Sequence, residues 1–370
     1  MVTYRQRPGR RELLGALAGF GVLMLPPGAR VAKATGLDVL DMPAIAVRKP
    51  TSVMLQGIVR AGNRLIAAGE HGVVIYSDDN GVSWTQGRVP VDVVLTCIAF
   101  ATDKIGWAAG HYGLVLKTTD GGETWAMQLT GVQVSQLILA AAQAAVAQNS
   151  PLPGTEFALR RAAFFNRYTA AEPFLSLAAL SPDRVIAFGA YRMTMLSTDG
   201  GKSWQEWSLN IPDRLSPNLY ATVVIGGNIY LAAEGGLVFC SKDNGQSFVQ
   251  LASPTANTLF GIVGAADGSL VAFGVAGAIF RSSDNGQSWL AIALRTQDNL
   301  TAGRVLATGE ILIAGESGGL FASRDNGANF NPVAGVPPIS IYDIAQAQDK
   351  SLILVGESGI VRLPTKILNS

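Results

Sequence analysis

Short apolar runs alternate with polar, glycine-bearing turns along most of the chain, and one unit of this kind recurs. In a representative copy an apolar strand at Thr96–Phe100 is followed by a turn, and a second strand at Gly106–Ala109 runs into Gly110-His111-Tyr112-Gly113. A third strand at Leu114–Lys117 then runs into a polar turn, and a fourth follows Trp125. Runs of this length with turn residues between them predict β-strands joined by hairpins.

The polar turn before the fourth strand has the pattern S/T-x-D-x-G-x-x-W/F and occurs six times. Its Asp and aromatic residues are Asp79 with Trp84, Asp120 with Trp125, Asp199 with Trp204, Asp243 with Phe248, Asp284 with Trp289, and Asp325 with Phe330. The Asp residues are spaced 41, 79, 44, 41 and 41 apart. A period near 41 is that of a four-stranded propeller blade. The Asp accepts backbone N–H groups in a local turn, the Gly admits positive φ, and the aromatic ring packs between blades. These residues therefore read as structural.

A second repeat sets the blade count. Ten residues ahead of each Asp, a Gly or Ala opens a short turn, as at Gly69-Glu70-His71-Gly72 and Ala233-Glu234-Gly235-Gly236. A seventh copy, Gly356-Glu357-Ser358-Gly359, has no S/T-x-D turn after it. Seven turns predict an all-β, seven-bladed propeller. The last blade holds three apolar strands, Ile341–Ile344, Leu352–Val355 and Ile360–Leu363. Residues 36–48, centred on Leu37–Val47, are expected to supply its fourth strand and close the ring, which would leave no open sheet edge.

The 79-residue spacing marks an insertion between blades two and three, at 131–172. Ser135–Gln148 is rich in Ala, Leu and Gln, Pro151-Leu152-Pro153-Gly154 breaks it, and Glu156–Tyr168 places Phe157, Phe164, Phe165 and Tyr168 at helical spacing. A helical hairpin is expected. Because strands in a blade alternate direction, the hairpin shares a face with the Gly turns, opposite the S/T-x-D turns. That face carries Glu70, His71, His111, Tyr112, Tyr191 and Arg192, joined by Arg160, Arg161, Phe164 and Arg167 of the hairpin. These ten residues are the expected partner-binding surface. His71 and His111 could ligate a metal with Glu70 or Glu357, but two histidines without spaced partners read as exposed turn residues. No metal or other cofactor is expected.

Composition narrows the setting. Charged residues are 15% of the chain and the net charge is +1, with no basic field for nucleic acid. The N-terminus carries Arg5, Arg7, Arg10 and Arg11, then an apolar run from Leu13 to Leu25, then Ala32-Lys33-Ala34. Residues 1–34 read as a cleaved export signal, either twin-arginine or ordinary secretory, with the propeller at 35–370 and a periplasmic location. Cys97 and Cys240 fall at different positions in different blades and are expected to stay unpaired.

The S/T-x-D turns in nearly every blade, the 41-residue period and segments such as Gly110-His111-Tyr112-Gly113-Leu114-Val115-Leu116-Lys117-Thr118-Thr119-Asp120-Gly121-Gly122-Glu123-Thr124-Trp125 resemble the photosystem II stability/assembly factor family, within the BNR (Asp-box) propellers. The resemblance covers roughly residues 37–365 outside the insertion. It implies an exported, non-enzymatic propeller that binds a membrane-protein client during assembly; a monomer is expected. Similar proteins accompany RND-type exporters, so the implied client is a photosystem subunit or such an exporter. Sialidases also carry Asp-boxes, which leaves a glycoside hydrolase or carbohydrate-binding propeller as the alternative. That chemistry needs an arginine cluster with paired acid and nucleophile, and the only Ile-Pro segment, Asn210-Ile211-Pro212, lacks the arginine that sialidases place there.

Overall fold

The computed structural model describes residues 39–147, 155–168, 171–212 and 215–369. The expected export signal, Leu37 and Asp38 lie outside them. The described residues form a seven-bladed β-propeller. Each blade is an antiparallel meander built from consecutive strands, and six sheets have four strands while the seventh has three. In blade one the strands are Leu55–Ala61, Arg64–Gly69, Val74–Ser77 and Thr85–Gln86.

The second strand of each blade is covered on both faces by its neighbours. Its residues are accordingly apolar at nearly every position, as in Val185–Gly189 and Leu352–Gly356, both buried throughout. The cores lie in the seams between blades. In one of them Ile186 and Phe188 of blade three meet Leu219, Ile229 and Leu231 of blade four. Phe248, from the blade-four turn, lies edge-on to Phe188 there, with centroids 5.9 Å apart.

The six S/T-x-D turns share one hydrogen-bond pattern. At Asp243, Oδ1 accepts the Ser241 hydroxyl at 2.7 Å and the Ser247 N–H at 2.9 Å, and Oδ2 accepts the Ser247 hydroxyl at 2.6 Å. The Gly245 N–H donates back to Ser241 Oγ at 2.8 Å. Gly245 sits at φ 80°, where a Cβ would also strike Ile186 of the preceding blade.

The glycine that ends the second strand in every blade but the fourth, where Ala233 stands, has a different cause. Gly69, Gly189 and Gly274 are extended, so φ does not demand glycine. A Cβ at Gly110 would instead overlap the Val94 carbonyl, and one at Gly356 the Ser340 carbonyl, on the loops that lead into the inner strands.

Closure departs from the expected strand exchange. Residues 39–47 form no strand, and blade seven ends at Gly359–Leu363. Val39, Leu40 and Ala44 pack into the core of blades one and two, tied by Ala44 N–H to Val89 O and by Asp92 N–H to Val39 O, both 3.0 Å. Blade seven meets blade one directly. The Ile58 N–H donates to Asp343 Oδ2 at 2.9 Å, and Arg304 of blade six donates to Asp343 Oδ1 and to the Ile58 carbonyl. On the opposite face Arg362 Nε donates to Asn80 O at 2.9 Å. Ile353 and Val355 share a buried core with Leu55 and Ile75.

All seven inner strands carry a β-bulge just after their first residue. The extra residue is polar or aliphatic in blades one, two, three and six (Gln56, Thr96, Leu175, Thr301) and aromatic in blades four, five and seven (Tyr220, Phe260, Tyr342). All seven line the axial cavity. Bulges re-aim side chains, and here they do so around one axis. Cys97 and Cys240 are both free thiols, and burial pushes Cys97 up to about 12.

Candidate functional site

The insertion folds as two helices, α1 (Gly131–Ala147) and α2 (Thr155–Tyr168), between blades two and three. α1 starts four residues before the expected Ser135. Thr130 and Gln133 explain this: Gln133 Oε1 accepts the Thr130 N–H at 2.9 Å in a capping-box arrangement. The hairpin sits on the Gly-turn face, as the alternation of strands requires. The Gly131 N–H donates to Tyr112 O at 2.7 Å, and the Tyr112 and Gly113 N–H groups donate to Ala171 O and Glu172 O.

Apolar packing holds the helices down. Val134, Ile138 and Phe165 are buried with Trp107 of blade two and Leu177 of blade three. Phe164 lies 5.1 Å from the Tyr191 ring and 5.7 Å from Phe165. Arg161 is not at the surface: its side chain is 6% exposed and pairs with Glu206 of blade three at 3.0 Å. Burial lowers the Arg161 pKa while Glu206 raises it. The Ser208 hydroxyl and N–H also donate to Glu206. Among the described residues Arg161 Nε and Nη2 are buried without a hydrogen-bond partner.

The expected surface therefore divides. His71, His111, Tyr112 and Tyr191 are exposed on the turn tips, and Arg160 is exposed on α2. Phe164 is half-buried. Arg161 and Arg192 are buried and drop out as direct contacts. The Arg167 side chain lies outside the described residues. Glu70 is half-buried and accepts the Met54 N–H at 3.1 Å. Glu234 accepts the Asn218 N–H in the same way at 3.1 Å. These carboxylates fasten each turn to the loop entering its blade.

His71, Tyr112 and Tyr191 occupy the third turn position at φ 55°, 59° and 51°, a region few non-glycine residues adopt. Arg192 holds φ 59° where blades one and two have Gly72 and Gly113. His71 Nδ1 lies 2.9 Å from Asp92 Oδ1. Among the described residues no three His, Cys, Asp or Glu side chains are placed to hold a metal.

Sequence reasoning missed the apolar surface beside these turns: Val132 is 55% exposed and Leu159 40%. Both are apolar residues within the two helical segments, and only the packing direction shows which face each joins. No described helix is long and apolar enough to cross a membrane.

Residues 169–306 match the family model of the photosynthesis system II assembly factor YCF48. Among solved structures, YCF48 bound to a D1 peptide is 18% identical, with 88% of this chain and 99% of that chain covered and a TM-score of 0.61. YCF48 from Cyanidioschyzon merolae is 14% identical, covering 88% and 98%, also at 0.61. The WD40 propeller domain of Doa1 is 12% identical, covering 87% and 95%, at 0.58. A comparison with curated proteins finds no match. With its seven blades, its repeated aspartate turns and a family match that spans blades three to five, the chain is a seven-bladed propeller similar to the photosystem II assembly factors.

Proposed function

We propose that this propeller is a non-enzymatic holder of a membrane-protein client, exported to the periplasm by its N-terminal signal and acting as a monomer. The client is a subunit of a membrane complex under assembly, either a photosystem subunit or an RND-type exporter. The observation that carries this reading is the region where the hairpin meets the turns: Tyr112 and Tyr191 on the turns, with Val132, Leu159 and Arg160 on the helices, are exposed aromatic, aliphatic and basic groups. Exposed tyrosines and arginine are the residues that dominate binding hot spots, and exposed apolar groups around them mark interaction surfaces. The similarity to a propeller solved with a D1 peptide supports the same reading.

Removing the hairpin outright is a poor test, because its buried Val134, Ile138 and Phe165 share one core with blades two and three. Surface substitutions are better. Full-length protein and the variant Leu159→Asp/Arg160→Glu are used to capture partners from detergent-solubilised membranes of the host. Wild type is expected to recover a photosystem subunit or an RND-type exporter, with at least about tenfold less on the variant. Equal recovery by both, with unchanged circular dichroism, would remove the hairpin face from the binding site.

A further inference from the structure

The axial cavity is a second candidate site, independent of the hairpin face. It measures about 690 Å³ and is bounded by the bulged inner strands. That volume falls within the ~300–1,000 Å³ typical of small-molecule sites.

Its walls differ in chemistry. Tyr220 and Phe260 of adjacent blades four and five form an edge-to-face pair, centroids 5.2 Å apart and planes at 84°. Across the axis, blades seven and one bring Tyr342 and Gln56. Among the described residues the Tyr342 phenol makes no hydrogen bond, and the Gln56 amide has only a 3.7 Å contact to Met54 Sδ. Thr96 and Thr301 spend their hydroxyl protons on the Phe174 and Ile341 carbonyls of the next blades, which leaves oxygen lone pairs to accept. The charges are spoken for: Arg304 pairs with Asp343 at 3.1 Å, and Asp343 also takes the Ile58 N–H.

Each ligand class meets this cavity differently. An anion or cation would find its counter-charge already paired and would lose hydration without return. A wholly aromatic ligand would satisfy the ring pair but strip water from Gln56 and Tyr342 without replacing it. A neutral ligand with one C–H face and a girdle of hydroxyls satisfies both walls. We propose that the axial cavity binds a neutral saccharide, its C–H face against Tyr220 and Phe260 and its hydroxyls on Gln56 and Tyr342.

The test is saturation-transfer NMR and calorimetry on the full-length protein. The probes are glucose, galactose, N-acetylglucosamine and their β-1,4 disaccharides, with glucuronate, N-acetylneuraminate and benzyl alcohol as comparators. A neutral saccharide is expected to bind saturably with Kd of about 1 mM or tighter. Phe260→Ala and Gln56→Ala, each checked by circular dichroism, are expected to weaken it by about tenfold or more. Arg160→Glu on the hairpin is expected to leave it unchanged, which separates this site from client binding. The proposal is overturned by no saturable saccharide binding, by tighter binding of an anionic or aromatic comparator, or by unaltered affinity in both cavity variants.

Discussion

Each aspartate turn concentrates several donors on one carboxylate, and that has a consequence in acid. Asp79, Asp199 and Asp284 are held at about 2, chiefly by the serine hydroxyl four residues on. Asp243 is held at about 2 in the same way by Ser247. An unfolded Asp titrates near ~3.9, so each turn's contribution is complete above that value and disappears as pH falls towards about 2. The melting temperature is therefore expected to be flat between about pH 7 and 5 and to drop between about pH 4 and 2. Asp243→Asn is expected to melt lower than wild type at neutral pH, with the gap closing at about pH 2, as thermal circular dichroism across the series would show. A gap of constant size would mean that geometry, not ionisation, holds the turn. These turns were readable from sequence because every participating atom lies within eight consecutive residues. The turn-opening glycines were readable as a repeat but not in their cause, since the carbonyls they avoid belong to loops about 16 residues earlier.

At the scale of the element, the hairpin shows where periodicity stops informing. Helical spacing marked both segments, yet Arg160 and Arg161 stood together in the expected surface. Consecutive helical residues lie about 100° apart, so one of them had to turn inward. Arg161 did, and its partner Glu206 is 45 residues away on blade three, where no local pattern connects them. Removing one member of a buried pair strands the other at a cost of about 3–5 kcal/mol, whereas replacing both by apolar groups is often neutral. Arg161→Met is expected to lower stability by that order and to speed amide exchange across α2. The double variant Arg161→Met/Glu206→Gln, which removes both charges and keeps an acceptor for Ser208, is expected to recover to within about 1 kcal/mol of wild type. Urea denaturation and hydrogen exchange read both. A single variant as stable as wild type would show that Phe164 and Phe165 anchor the hairpin without the ion pair. The early start of α1, in contrast, was written locally in Thr130-x-x-Gln133.

Over the whole molecule the blade count followed from seven copies of one turn, while the closure did not. An N-terminal strand was expected because blade seven has three strands and an exposed edge needs cover. The segment carries Pro43, and its apolar residues Val39, Leu40 and Ala44 find a better site against Val89, Val91 and Val93 than along blade seven. The seam between blades seven and one is therefore held without a shared sheet, and Asp343 is its hinge point: one carboxylate receives a blade-one amide and a blade-six guanidinium. Asp343→Ala removes both acceptors, leaving the Ile58 N–H and Arg304 to seek water at a cost of about 1–3 kcal/mol. Asp267→Ala breaks the comparable Arg281–Asp267 pair inside blade five, where the sheet is continuous, and is expected to cost less than about 1 kcal/mol. Hydrogen exchange distinguishes the two beyond their stabilities. In Asp343→Ala, protection should fall along Leu55–Ala61 and Ile341–Gln346 together while blades three and four stay protected, because the ring opens at its one seam joining the chain's two ends. An even loss of protection around the ring would mean that all seams are equivalent and that the first and last blades are bound by apolar packing alone.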